Sequence, residues 1–81
     1  MKMDDKYYGN VFKNEDDSKV PADEWIVFRA KDLALVPTLI TYLNTCSDIG
    51  CDDKHIRNIV ELIVRVMKFQ KNNPDRCKNP D

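Results

Sequence analysis

The sequence predicts a small, mainly α-helical fold: an antiparallel αα-hairpin preceded by a short extended or β segment, expected to assemble as a dimer. Three observations predict it. Apolar residues recur at three- and four-residue steps over residues 36–46 and again over 56–70, the spacing that gathers them on one side of a helix. Between these stretches lies a tight reversal at Ile49 to Asp52, where Gly50 is suited to ending a helix and Asp52 or Asp53 to starting the next. Ahead of both stands a run of four bulky residues, Trp25 to Phe28, with high strand propensity.

In chain order, residues 1–23 form an acidic, partly mobile arm. It contains an aromatic island, Tyr7, Tyr8, Val11 and Phe12, then the polar run Lys13 to Lys19 and Pro21. Residues 24–72 form the helical-hairpin domain with its leading strand, and residues 73–81 a polar, extended tail. Trp25 to Phe28 is expected as a short strand or extended anchor. Pairing with Tyr7 to Phe12 would make a small antiparallel ribbon, marginal in water unless it lies on the helices.

Asp32 is suited to capping the opening turn of the first helix, and Pro37 fits only its first turn, so that helix should begin near Leu35 to Pro37. Its inner stripe reads Val36, Leu39, Ile40, Leu43 and Cys46, with Ile49 as a staple at the end. The second helix, about Asp53 to Lys71, should bury Ile56, Ile59, Val60, Ile63, Val66, Met67 and Gln70, with Leu62 and Phe69 widening the stripe. Glu61 precedes Arg65 by four residues, the favourable order for a surface ion pair. Asn72-Asn73-Pro74 ends the helix. So short a connection between such helices makes them antiparallel neighbours.

A chain of 81 residues holds a modest core. Two helices cover each other along one seam, leaving Leu62, Val64 and Phe69 to be covered by something else. Two arrangements answer this: a second hairpin in a homodimer, or an amino-terminal segment wrapped round a monomer.

Thirteen basic residues against 14 acidic ones leave a net charge of −1, which argues against a dedicated nucleic-acid binder that relies on whole-domain attraction. The charge is uneven: residues 1–24 carry −3, 25–53 carry −2 and 54–81 carry +4. The longest uncharged run, Leu33 to Ser47, is shorter than the roughly 20 residues a bilayer span requires. Acidic residues near the amino terminus do not fit a secretory signal, and three cysteines are few for a secreted scaffold, so a cytoplasmic location with reduced thiols is expected.

Cys46, Cys51, His55 and Cys77 are the residues that resemble a metal set, and zinc accepts three thiolates and an imidazole. Their spacing departs from finger and knuckle signatures, Cys77 would have to fold back past Pro74, and a buried Cys46 serves equally as a small hydrophobe. No cofactor or metal is therefore assigned from sequence. His55 as general base or Cys51 as activated thiolate lacks an orienting carboxylate, and two glycines, Gly9 and Gly50, make no phosphate cradle; no catalytic residue is assigned and a non-enzyme is expected. Lys54, Arg57, Arg65 and Lys68 supply a basic face on the second helix. Arg29 and Tyr42 are residue types enriched at interaction hot spots. These six are the candidate partner contacts.

The stretch WIVFRAKD, followed by Pro37, Tyr42, Cys46, Gly50, His55, the apolar helix through Phe69 and the ending NPDRCKNPD, resembles small phage or prophage accessory proteins over residues 25–81. The resemblance implies origin more than activity. Such proteins include inhibitors of host proteins, antidefence proteins, and capsid or regulatory accessories. The leading expectation is thus a non-catalytic protein-interaction module, encoded by a phage and bound to a host protein in the host cytoplasm. The alternatives are a nucleic-acid or nucleotide binder using the basic face of the second helix, and a zinc-stabilised small module.

Overall fold

The computed structural model describes residues 8–79. Strand β1 (Val11–Phe12) pairs antiparallel with β2 (Lys19–Val20), and two helices, α1 (Leu35–Ile49) and α2 (Asp53–Asn72), pack together as the predicted hairpin. Single 3₁₀ turns stand at Ala22–Glu24 and Pro74–Arg76. No helix among the described residues is long and apolar enough to cross a membrane.

The ribbon differs from the sequence expectation in its partner. Val11 and Phe12 pair with Val20 and Lys19, not with Trp25 to Phe28; Tyr7 lies outside the described residues. The polar run between the strands closes the turn itself. Lys13 N–H donates to the Ser18 carbonyl at 2.8 Å, and Asp17 N–H donates to the Lys13 carbonyl at 2.9 Å. Asp17 takes the left-handed conformation at φ 58°, tolerated by a short polar side chain. Asp16 accepts from both the Ser18 main chain and its hydroxyl.

Among the described residues the two-stranded ribbon is formed by β1 and β2 alone, and Trp25 to Phe28 joins no sheet. Its side chains alternate: Trp25 and Val27 are half-buried, whereas Ile26 and Phe28 face outward. The segment is an anchor, and Phe28 is not the core residue its type suggests.

Asp32 closes the turn ahead of α1 and does not cap the helix itself: its carboxylate accepts from Ala34 N–H at 2.8 Å, while Ala34, at the cap position, offers no side-chain acceptor. Pro37 sits in the first turn, where its missing N–H would have had no helical partner. The core comprises Leu35, Cys46, Ile59, Ile63 and Val66, all buried, with Val36, Leu39, Leu43, Cys51 and Ile56 packed on the Cys46–Ile59–Ile63 cluster. The buried stripe is narrower than the apolar stripe in the sequence. Ile40, Val60 and Met67, expected inside, are exposed, and Ile49 is 74% exposed and staples nothing. One helix presents only one side to one neighbour, and residues a quarter-turn from the seam stay in solvent. Leu62 and Phe69 are half-buried, leaving Val64 with the outward group.

The tail is not extended. After α2 it turns at Pro74–Arg76 and runs back beside the entrance to α1, where Lys78 N–H donates to the Lys31 carbonyl and Leu33 N–H to the Lys78 carbonyl. Gln70 completes this corner. Its side-chain amide donates to the main-chain carbonyls of Ala30 at 3.0 Å and Asp32 at 2.9 Å, tying the incoming segment to α2. Arg76 lies over the Phe69 ring at 4.9 Å, a cation–π contact on the same end.

Candidate functional site

The turn between the helices is built by two local rules. Gly50 takes a left-handed conformation at φ 82°, and the paired bonds Cys51 N–H to Cys46 carbonyl and Gly50 N–H to Ser47 carbonyl close the end of α1. That closure folds the residue after the glycine onto the residue four before it, so Cys51 meets Cys46. Asp52 then caps α2 by accepting from His55 N–H at 2.8 Å, which sets His55 in the first turn of α2, beside the reversal. As a result the two thiols and the imidazole converge. Their ligand atoms all lie within 4.8 Å of one another.

This corner grades from core to surface. Cys46 is 3% exposed, Cys51 is half-buried and His55 is exposed. Cys51 precedes α2, so the reversal, not helical spacing, brings it to His55. Tyr42, one turn before Cys46 on α1, reaches across, its hydroxyl 3.3 Å from His55 Nε2 and its ring edge-on at 6.1 Å between centroids. Hydrogen bonding to Cys46 is the first cause holding the Cys51 thiol above its ordinary value, followed by burial and the charges of Cys46 and Asp52. Tyr42 is raised too, first by its hydrogen bond to Cys46 and then by that thiol's charge.

Cys77 leaves the set. Its thiol donates to the carbonyls of Asn73 at 3.3 Å and Gln70 at 3.9 Å, at the far end of α2. Fifteen helical residues from His55 to Gln70 span about 22 Å.

The other candidate contacts separate into groups. At about 100° per residue, Lys54, Arg57, Arg65 and Lys68 fall in one sector of α2 roughly 80° wide, with Glu61 among them. All are exposed. Beside that sector, Val60, Val64 and Met67 form an apolar stripe, 43%, 44% and 53% exposed. Tyr42 belongs with His55 and the thiols instead, and Arg29 stands exposed on the segment leading into α1. Sequence reasoning placed Gln70 on the inner stripe but missed its clamp on Ala30 and Asp32; a lone glutamine at a core position was the available signal.

No family model, curated protein or solved structure matches the chain.

Proposed function

We propose that the chain is a non-catalytic interaction module that binds an apolar, acid-rimmed surface of another protein with the outer face of α2. What supports this reading is the adjacency of two exposed sectors on one helix: the stripe of Val60, Val64 and Met67, and the basic row of Lys54, Arg57, Arg65 and Lys68. The stripe offers apolar area for burial. The row favours an acidic rim on the partner and discourages a basic one. A nucleic-acid backbone would satisfy the row alone and leave the stripe wet, so protein is the better fit to both. Under the phage resemblance the partner is a host protein, met in the host cytoplasm.

The test places a photo-crosslinking residue at position 64, in cells that express the chain. The expected result is one saturable protein adduct, weakened by added salt and lost in the Arg65→Glu/Lys68→Glu variant. Adducts only to nucleic acid, or a protein adduct indifferent to salt and to that variant, would overturn the reading.

One observation favours a homodimer as a second reading. Asp53, Arg57, Val60, Val64, Met67 and Lys71 follow one another at alternating steps of four and three, with the acid at one end and the base at the other. Two α2 helices laid antiparallel about the middle of this row would set Asp53 of each copy near Lys71 of its partner. Sedimentation equilibrium checks it: a dimer weakened by Val64→Glu is expected, whereas a monomer at all accessible concentrations excludes it.

A further inference from the structure

We infer that Cys46, Cys51 and His55 form a Zn²⁺ site that clips the end of α1 to the start of α2, with water in the fourth position. The donor set is a chemically sound one, since two thiolates and one imidazole with an open position make a recognised tetrahedral zinc environment. The three ligand atoms already lie within 4.8 Å of one another. Around a tetrahedral ion such donors stand ~3.5–3.8 Å apart, given its bond lengths. The required contraction of about 1 Å is within the reach of side-chain torsions alone, and the main-chain turn stays in place.

The backbone is organised for this independently of the metal. The reversal at Gly50 fixes Cys51 against Cys46, and the Asp52 cap fixes where His55 leaves α2. Burial grades in the useful direction, with the sulfur of Cys46 in the core and His55 on the surface, so the ion has an entry path and its water a way out. Binding exchanges two thiol protons for one divalent cation: two S–H bonds break, two Zn–S bonds form, and both protons go to solvent. The site is neutral when filled.

The experiment uses the full chain, reduced and purified without chelator. Elemental analysis should give one zinc per chain. Replacement by Co²⁺ should give thiolate-to-metal charge-transfer absorption together with the intense visible bands of a tetrahedral ion. Zinc should raise the melting temperature, and Cys51→Ser or His55→Gln should each weaken the affinity by about tenfold or more. Cys51 is half-buried at the edge of the core and His55 is exposed, and serine and glutamine nearly match the volumes they replace, so these variants test ligation without opening a cavity; circular dichroism checks that they fold. Cys77→Ser should bind as the parent does. Weak octahedral Co²⁺ absorption alone, undiminished affinity in both Cys51→Ser and His55→Gln, or loss of binding in Cys77→Ser would overturn the assignment. So would recovery of the chain with Cys46 and Cys51 joined as a disulfide that zinc and mild reductant do not convert to the metal form.

Discussion

Gln70 carries an unusual share of the tertiary structure for one side chain. Its amide donates to two carbonyls nearly forty positions earlier in the chain, and so holds the entrance of α1 on the last turns of α2. Gln70→Ala leaves both carbonyls without that donor, and is expected to cost about 1–3 kcal/mol in urea unfolding. A smaller, purely electrostatic effect belongs to Asp16. The hydroxyl of Ser18, then its main-chain N–H, holds the Asp16 carboxyl below the ordinary aspartate value. A depressed folded-state value contributes stability at pH above the unfolded value, and that contribution disappears as pH falls through the folded one. Ser18→Ala removes the leading cause. An NMR titration should show the Asp16 midpoint moving upward toward the ordinary value, while neutral-pH structure is retained. An unchanged midpoint would mean that the hydroxyl does not set it.

At the scale of elements, the helix reversal was the most legible part of the sequence. Gly50, Asp52 and the flanking stripes act within a few residues of one another, so their signals survive without knowledge of the rest of the chain. Gly50→Ala tests the conformational part alone. A Cβ there would meet nothing within 4 Å, so the cost arises from the left-handed backbone, about 1–2 kcal/mol, and Gly50→Asn should cost less. Thermal and urea unfolding of the two variants, compared at one pH, give the ranking. The strands were less legible. Trp25 to Phe28 has the stronger β propensity, yet Val11–Phe12 and Lys19–Val20 form the ribbon, because a strand requires an edge to pair with and the polar turn at Lys13–Ser18 supplies one locally. The same limit applied to the tail: nothing in its composition marks Lys78 as a hydrogen-bonding neighbour of Lys31 and Leu33.

For the whole molecule, the division between buried and outward apolar residues governs both stability and the proposed activity. Ile59, 5% exposed at the centre of the cluster, should lose about 2–5 kcal/mol on truncation to Ala. Val64→Ala, on the outer stripe, should stay within ~0.5 kcal/mol of the parent in the monomeric form, while weakening any complex formed through that face. Paired chemical-denaturation and binding measurements would show the contrast. Equal stability losses at the two positions would mean that the outer face is covered within the chain itself.

The sequence by itself determined the two helices and the reversal between them, with its glycine end and aspartate start, because each depends on contacts no more than a few residues apart. It also determined which residue types were on hand for chemistry: three thiols, one imidazole and a basic run. Only the tertiary structure decided which of them meet. It brought Cys46, Cys51 and His55 together, sent Cys77 to the opposite end of α2, and turned Val60 and Met67 outward from a stripe that periodicity alone marks as buried. The physical reason is that periodicity states which side of a helix is apolar, but the width of that side in contact is set by the neighbour that packs against it.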